Sequence, residues 1–334
     1  MKICHFAATK GIGRGEAFVE VANEMSEHIT THLLFPKGAL FIGNISRAVN
    51  CHQYYNQGSR NNIFLLIEIY LYLRREKFDL ITTHFAKATK IYLRLSKLLK
   101  IPHIAVKHNP RPSKIYNKVR NIIGVSLEAS QSIKGKSSVV KTIRNGICAE
   151  DLNDCEITEQ NQKFTILAVG RLDAIKGFDL LINALSMVEF DFRLVIAGTG
   201  PEEQRLRNLS IAKGISKQVN FLGFRHDIKN LMASSDIVVA CSHSEGCPMV
   251  FIESLFYANL FISTPVGEAG NILPSSLLMK KENIHEKIFE LYNNYPRYKN
   301  EFQIFANRSR QNYSIKKTVN EYLDFYKEIC THSS

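Results

Sequence analysis

The sequence predicts an α/β protein of two domains, each a doubly wound parallel β-sheet covered by helices. Short apolar runs of strand length alternate with helical patterns of about 10–15 residues, which is typical of βαβ units in parallel sheets. The chain has 334 residues, more than a single hydrophobic core usually serves. A polar, acidic and aperiodic stretch at residues 150–163 interrupts the alternation and is interpreted as an interdomain linker.

The first domain is predicted to span residues 1–150. Strands are expected at residues 2–8, 29–35, 79–84, 103–107 and 122–125, and helices at residues 16–27, 64–75 and 88–99. A loop with glycines at positions 11, 13 and 15 follows the first strand. Its spacing differs from the dinucleotide-binding fingerprint, so it indicates either a tight turn or backbone amides presented to a phosphate or sugar.

The second domain is predicted to span residues 151–315 and has the same βα rhythm. Strands are expected at residues 164–169, 192–197, 219–222, 237–241 and 261–264. Helices are expected at residues 177–187, 202–213, 228–233 and 249–260, and the chain is mostly helical from residue 280, with a last helix at residues 316–329.

The composition is that of a globular protein, with 45% hydrophobic and 22% charged residues. Seven cysteines, an odd number with no Cys-x-x-Cys pair, argue against a disulfide framework and against a zinc site. The longest apolar segment, residues 63–73, contains Glu68 and is too short to span a bilayer. Because the first residues enter a strand without a signal-peptide apolar region, a cytoplasmic location is expected.

The net charge of +12 is concentrated in the first half of the chain. Residues 1–155 contain 23 Lys and Arg against 11 Asp and Glu, whereas residues 156–334 contain 20 of each class. This imbalance indicates a surface for an anionic acceptor or for membrane headgroups, the alternative being an ordinary solvated face. Nucleic acid is not expected, because no nucleic-acid-binding motif accompanies the charge. The residues assigned to this surface are Lys87, Lys90, Arg94, Lys97, Arg111 and Lys114.

The loop at residues 242–247 lies between a buried strand and a helix, at the sheet edge where α/β proteins bind ligands. Pro248 suits the first helical position, where the missing N–H costs nothing. Glu245 lies in the loop, and Glu253 is the only charge in an apolar helix, so its carboxylate is expected to be buried. Glu253 is either a structural carboxylate or, with Glu245, accepts hydrogen bonds from the hydroxyls of a sugar-bearing ligand.

Two further loops follow strands of the second domain. One places Arg171 and Lys176 directly before a helix, and two cations at a helix N-terminus suit a diphosphate. The other, Gly198-Thr199-Gly200-Pro201, is a turn that brings backbone close to a ligand.

Taken together, these motifs resemble those of the retaining GT-B glycosyltransferases of glycosyltransferase family 4. The motifs are Gly170-Arg171-Leu172 with Lys176-Gly177, Gly198-Thr199-Gly200-Pro201, Phe221-Leu222-Gly223, Glu245-Gly246-Cys247-Pro248 followed by Glu253, and the Asn145-Gly146-Ile147 turn. The resemblance is close over residues 140–275 and loose in the first domain. It implies the GT-B fold, in which two Rossmann-like doubly wound domains face each other across a cleft. It also implies that segment 316–334 packs back on the N-terminal domain, although that helix could simply cap the second domain.

The resemblance implies roles for individual residues. Arg171 and Lys176 would hold the donor diphosphate and stabilise its leaving charge, Glu245 would bind the donor sugar and Glu253 the ribose. His108 would face the donor sugar, with His84 as a weaker candidate. The donor-binding set would be Gly11, Gly13, Gly170, Gly198, Gly200, Gly246, Cys247, Pro248, Met249, Val250 and Glu253, helped by the amides around Gly267.

The expected activity is retaining transfer of a hexose-type sugar from a nucleotide-diphosphate sugar, with UDP as the expected nucleotide. The acceptor would be a glycan or glycolipid of lipopolysaccharide core or another surface polysaccharide. No Asp-x-Asp occurs in the chain, so neither a metal nor another cofactor is expected, and the two cations and helix dipoles would stabilise the diphosphate. The alternatives are a GT-B-fold nucleotide-sugar epimerase and a non-catalytic sugar-nucleotide or glycolipid-binding partner. A nicotinamide oxidoreductase is disfavoured, because Phe35-Pro36-Lys37 stands where an acidic residue would follow the second strand.

Overall fold

The computed structural model describes residues 1–11, 16–56, 61–135, 138–149 and 163–331. Almost all of the expected linker, and Gly13, lie outside the described residues. The chain divides into two compact units, the first formed by Met1–Cys148 with Asn312–Ser334 and the second by Ala149–Gln311. The last helix of the chain is therefore part of the first unit.

The first unit contains a seven-stranded sheet. Its strands are Lys2–Ala7 (β1), Thr30–Pro36 (β2), Asn50–Tyr54 (β3), Leu80–His84 (β4), His103–Lys107 (β5), Asn121–Gly124 (β6) and Val139–Thr142 (β7). Their order is β3-β2-β1-β4-β5-β6-β7, and every neighbouring pair is parallel. The two edge strands, β3 and β7, were not predicted, because a strand with one neighbour keeps exposed positions and lacks the continuous apolar run of a central strand.

Helices cover both faces of this sheet. They are Ala17–Ser26 (α1), Ile63–Glu76 (α2), Phe85–Leu99 (α3), Leu127–Gln131 (α4) and Ile315–Thr331 (α12). Cys4 and Phe6 of β1 pack with buried residues of α2 and α3, whereas Ala7, which points the other way, packs with Phe18 and Val19 of α1. Helix α12 contacts α1, and its residues Tyr322 and Tyr326 are buried in the first unit.

The second unit contains a five-stranded sheet of Phe164–Val169 (β8), Phe192–Ala197 (β9), Val219–Gly223 (β10), Ile237–Ala240 (β11) and Phe261–Ser263 (β12). Its helices are Phe178–Leu185 (α5), Glu203–Ala212 (α6), Ile228–Ser234 (α7), Met249–Tyr257 (α8), Gly267–Ile272 (α9), Ile284–Asn293 (α10) and Tyr295–Ser309 (α11). The strand order is β10-β9-β8-β11-β12, and all pairs are parallel. Two parallel-sheet α/β units are thus observed, and the predicted fold class is confirmed.

Each sheet changes direction of winding once, between β1 and β4 in the first unit and between β8 and β11 in the second. At such a switch point the loops after the two central strands diverge to opposite faces and leave a crevice that α/β proteins use for ligands. Among the helices of the described residues, none is both long enough and apolar enough to cross a membrane.

His5 lies on β1 and is fully buried, and the cost of burying a charge lowers the pKa of its imidazole to about 3. Between about pH 6.5 and 3, the unfolded chain therefore binds a proton at His5 that the folded unit excludes. We expect the free energy of unfolding to fall with decreasing pH in this window, with His5 contributing a slope of about 1.4 kcal/mol per pH unit. Denaturant unfolding followed at several pH values measures this slope.

The test variant His5→Phe should lower the pH slope by about this amount, because His84 and His108 keep their own contributions, and the control variant His28→Gln should leave the slope unchanged. His28 is the control because 44% of its side chain is exposed. An unaltered slope in His5→Phe would contradict the assignment of this acid sensitivity to His5.

Candidate active site

The loops at the switch point of the second sheet are held together by backbone hydrogen bonds. The loop after β8 and the loop after β11 are joined where the His243 amide donates to the Ile175 carbonyl at 2.7 Å. The loop after β12 is joined to them where the Glu268 amide donates to the Gly246 carbonyl at 2.8 Å. Three loops at the carboxyl ends of parallel strands therefore hold their side chains in one place.

A direct ion pair links two of the predicted site residues. Lys176 Nζ lies 2.5 Å from Glu245 Oε1, and the Ser242 hydroxyl donates to the same carboxylate oxygen at 2.7 Å. Only 25% of the lysine side chain and 16% of the glutamate side chain are exposed, so the pair is partly shielded from solvent. The Thr264 hydroxyl, directly after β12, donates to the Ser242 carbonyl at 2.7 Å and so holds the loop that carries Glu245. The lysine, the carboxylate and the hydroxyl form one charge-balanced cluster.

Arg171 lies in the same loop as Lys176 but is held less tightly. Its guanidinium Nε is 3.8 Å from Asp173 Oδ2, and 44% of the side chain is exposed. Asp173 itself is committed elsewhere, since its Oδ1 accepts the Ile175 amide at 3.1 Å and caps the short turn that carries Lys176. Arg171 is therefore the more accessible of the two predicted cations.

Glycine is required at two tight points of these loops. Gly177 has φ +64°, and a Cβ there would lie 2.2 Å from the Cys241 carbonyl oxygen. Gly198 has φ +148°, and a Cβ there would lie 1.9 Å from the Gly170 carbonyl oxygen. Any side chain at either position would force the loops apart. Gly200 lies in the same turn as Gly198, beside the Leu172 carbonyl.

Helix α8 begins directly after the Glu245 loop. Pro248 precedes it in an extended conformation, and its carbonyl accepts the Phe251 amide at 3.1 Å. The amides of Met249 and Val250 therefore belong to the first turn, where N–H groups have no partner within the helix. Cys247, at the end of this loop, is buried, with 6% of the residue exposed. The start of α8 presents amides and the positive end of the helix dipole, which suits a phosphate.

Glu253 departs from the sequence-based expectation. Its side chain is partly exposed, whereas a buried carboxylate was predicted. Val250, Glu253 and Phe256 share the partly exposed side of α8, while Phe251, Ile252 and Leu255 face the core. The helix also ends earlier than expected, at Tyr257. Glu253 thus follows the first turn of α8 on its open side.

In the first unit, His108 and His84 contact each other directly. His84 Nδ1 lies 3.1 Å from His108 Nε2, and the His108 ring stacks on Phe85 with centroids 4.3 Å apart. His84 is fully buried and His108 is partly exposed. Burial lowers the pKa of His108 to about 4 and that of His84 well below its ordinary value, so both imidazoles are neutral at pH 7. Gly11 lies in the loop after β1 with φ +80°.

The predicted basic surface lies on α3 and on the loop after β5. Lys87, Arg94 and Lys97 are exposed on α3, with Lys90 partly exposed, and Arg111 and Lys114 are exposed in the loop. Lys107 differs from its neighbours because it is 2% exposed and donates to the Arg111 carbonyl at 2.9 Å. Burial lowers the pKa of Lys107 to about 8. Lys107 therefore holds the loop that carries Arg111 instead of facing an external partner.

Sequence reasoning missed three residues that support these sites. Ser242 and Thr264 connect the Glu245 loop to β12, and His5 lies 2.8 Å from His84 through Nδ1 and Nε2. Ser242 could have been found from the sequence, because it lies three residues before Glu245, at the end of a buried strand. His5 gave no such signal, because a single histidine in an apolar strand is indistinguishable from an ordinary core residue.

Residues 151–299 match the family model described as glycosyl transferases group 1. An uncharacterised glycosyltransferase of Haemophilus influenzae is 30% identical over 167 residues. That alignment covers 47% of each protein, so the chain spans about half the length of this relative. A Campylobacter jejuni protein is 28% identical over 290 residues, 79% of each chain. Its name describes an α-1,4-N-acetyl-D-galactosaminyltransferase acting on GalNAc-alpha-(1->4)-GalNAc-alpha-(1->3)-diNAcBac-PP-undecaprenol.

Among solved structures, the fold is similar to that of Anabaena Alr3699/HepE in complex with UDP-glucose. The TM-score is 0.86 at 17% sequence identity, with 98% of this chain and 100% of that chain covered. At this identity the likeness concerns the fold alone. The chain therefore has the fold of two parallel-sheet α/β units seen in that protein, and its second unit contains the match to the glycosyl transferases group 1 model.

Proposed function

We propose that this protein is a retaining, metal-independent glycosyltransferase that moves a hexose-type sugar from a nucleotide-diphosphate sugar, a UDP-sugar, to a glycan or glycolipid acceptor. The acceptor would belong to lipopolysaccharide core or another surface polysaccharide. The observation that carries the proposal is the cluster of Lys176, Glu245 and Ser242 at the switch point of the second sheet, with Arg171 in the same loop as Lys176. Support for the enzyme class comes from the family match, and support for UDP from the UDP-glucose complex of the Anabaena protein.

The ion pair between Lys176 and Glu245 suits a site in which both side chains leave each other to contact a bound ligand. Lys176 and Glu245 neutralise each other when no ligand is bound. A diphosphate near Lys176 would attract the ammonium, and the Glu245 carboxylate would then accept hydrogen bonds from sugar hydroxyls, still supported by Ser242. Because the pair is only partly buried, we expect the exchange to cost little free energy compared with that gained from two new charge-assisted contacts.

The leaving diphosphate would be stabilised by positive groups without a proton shuttle. Arg171 can bind two phosphate oxygens at once, Lys176 adds a point charge, and the amides of Met249 and Val250 add the helix N-terminus. Glu253, on the open side of α8, would accept the ribose hydroxyls. Groups aimed at the charge that develops as the bond to the sugar breaks lower the barrier directly.

We assign no covalent nucleophile. Glu245 accepts from both an ammonium and a hydroxyl, and this arrangement stabilises the anion and weakens it as a nucleophile. Retention would follow from attack on the face that the diphosphate leaves, which requires only positioning and stabilisation of the leaving charge. His108 would contact the donor sugar, as the family resemblance implies.

Two alternatives differ in what they require. A nucleotide-sugar epimerase would convert the donor without an acceptor, and a non-catalytic binding partner would leave the donor intact. The family match favours transfer over both. Product analysis by mass spectrometry with and without an acceptor glycan distinguishes the three activities.

Removing either cation of the donor site should abolish most of the activity. We expect Arg171→Ala and Lys176→Ala each to lower kcat by about 100-fold or more, the effect of losing one group that stabilises developing charge. Steady-state transfer of radiolabelled sugar measures the loss. Lys213→Ala is the matched control, since Lys213 is exposed at the far end of α6, and it should retain wild-type activity. Transfer within a few-fold of wild type in either site variant would contradict the proposed leaving-group site.

Chelation should not inhibit the enzyme. Since Arg171, Lys176 and the helix N-terminus would supply the charge that a metal supplies elsewhere, we expect equal transfer rates with excess EDTA and with added Mg²⁺ or Mn²⁺. The Arg171→Ala variant, assayed in parallel, identifies any metal that substitutes for the lost guanidinium. A rate that collapses in EDTA and returns with one divalent ion would overturn the metal-independent mechanism.

We further propose that α2 and α3 dock the protein on an anionic lipid surface, at the inner face of the cytoplasmic membrane. The two helices pack side by side in one core cluster, so their outer faces are adjacent. Phe64, Ile67 and Leu71 are 67%, 48% and 58% exposed and follow one stripe of α2. The outer face of α3 carries the basic residues Lys87, Arg94 and Lys97. An apolar stripe beside a basic face suits insertion below anionic headgroups.

Removing two positive charges from α3 should weaken this docking. Each basic residue near an anionic surface contributes about 1 kcal/mol, so Lys87→Ala with Arg94→Ala should lower partitioning about 30-fold. Sedimentation with vesicles containing anionic lipid measures the partitioning, and vesicles of neutral lipid and the Lys213→Ala variant are the controls. Equal binding to neutral and anionic vesicles would contradict the role of the basic face.

A further inference from the structure

Three histidines of the first unit form a continuous chain of ring contacts. His5 Nδ1 lies 2.8 Å from His84 Nε2, and His84 Nδ1 lies 3.1 Å from His108 Nε2. The chain is extended at its inner end by Met25, whose Sδ lies 3.4 Å from His5 Nε2. His5, His84 and Met25 are fully buried, and the chain reaches the partly exposed ring of His108.

Each contact in such a chain needs one donor and one acceptor. A neutral imidazole carries a hydrogen on only one of its two nitrogens, so choosing the tautomer of one ring determines that of the next. The thioether of Met25 can only accept. The hydrogen of His5 is therefore on Nε2, facing the sulfur, and its Nδ1 is the acceptor.

The tautomers of the other two rings follow from this end. His84 must donate from Nε2 to His5 Nδ1, which leaves its own Nδ1 as an acceptor. His108 must donate from Nε2 to His84 Nδ1, which leaves His108 Nδ1 without a hydrogen. Reversing all three tautomers would place two acceptors, the sulfur and a ring nitrogen, against each other at a fully buried site.

Neighbouring aromatic side chains keep the rings in place. Phe18 of α1 lies against His84 with centroids 5.1 Å apart, and Phe85 stacks on His108. Tyr326 of α12 also lies beside His5, with ring centroids 6.5 Å apart. The phenol oxygen of Tyr326 accepts a hydrogen bond from the Thr82 hydroxyl at 2.7 Å. Phe85 has φ +66°, a conformation that a bulky residue adopts only when its surroundings impose it.

We infer that Met25, His5 and His84 are positioning residues that fix the tautomer of His108, so that His108 Nδ1 accepts a hydrogen bond from a hydroxyl of the sugar substrate. The inference rests on the proposed function for the identity of the substrate, but the tautomer of His108 depends only on the first unit. A hydroxyl that donates to His108 is oriented by that contact. The reversed tautomer would present an N–H and orient the hydroxyl the opposite way.

The tautomer is measured by NMR on protein labelled with ¹⁵N in its histidine rings, because the chemical shift of each ring nitrogen reports whether it carries a hydrogen. Signals are assigned from their loss in His108→Gln. In the wild type we expect the His108 hydrogen on Nε2. In Met25→Leu, which removes the acceptor at similar volume, we expect both tautomers of His108, whereas Met187→Leu, at a residue that is 56% exposed, should change nothing. A hydrogen on Nδ1 in the wild type, or a single unchanged tautomer in Met25→Leu, would overturn the inference.

Transfer assays test the consequence for the substrate. His84→Leu breaks the chain, and we expect kcat to fall about tenfold, the value of one oriented hydrogen bond. His84→Gln supplies one amide donor for His5 and one oxygen acceptor for His108, and should recover most of this loss. A purely structural role predicts that both variants lose activity in step with their melting temperatures, and that result, or full kcat in His84→Leu, would overturn the role. If the wild type transfers no sugar, the proposed function fails, and the NMR experiment still decides the tautomer.

Discussion

The constraint on which this structure depends is that both sheets are entirely parallel. In a parallel sheet all strands end at the same edge, so residues far apart in sequence are brought together wherever two strands are neighbours. Lys176 and Glu245 are 69 residues apart and form an ion pair because β8 and β11 are adjacent. His5 and His84 are 79 residues apart and in contact because β1 and β4 are adjacent. Both candidate sites follow from the same topological rule.

The two sites differ in their electrostatics. The cluster in the second unit is built from formal charges that neutralise each other, and it is partly open to solvent. The histidine chain in the first unit is neutral and mostly buried, and its polarity comes from the placement of hydrogens. The first arrangement suits binding of a strongly charged group. The second suits discrimination between a donor and an acceptor at one atom, since a buried chain cannot change its tautomers without leaving a polar atom unsatisfied.

Much of the fold could be predicted from the sequence, since central strands of parallel sheets are continuous apolar runs. The edge strands β3 and β7 could not, because they keep polar and exposed positions. Motif spacing predicted the loops of the candidate site in the second unit, but it did not predict that Lys176 and Glu245 form an ion pair. Spacing along the sequence does not say which strands are neighbours in the sheet. The expected burial of Glu253 was wrong, because α8 leaves one side partly open. His5 was missed, since its role arises only from contacts with residues that are distant in sequence.

The return of the chain to the first unit has a consequence for how the protein is made. The first unit is assembled from residues 1–148 and 312–334, whereas the second is continuous. During synthesis the second unit can fold as soon as its own residues have emerged, but the first must wait for α12. Tyr326 lies beside the His5 ring and accepts a hydrogen bond from Thr82 of β4, and both contacts can form only after residue 326 has been synthesised. The unit that contains the N-terminus is thus completed after the second unit, and a chain that ended at residue 311 would lack a finished first unit while retaining every residue of the second.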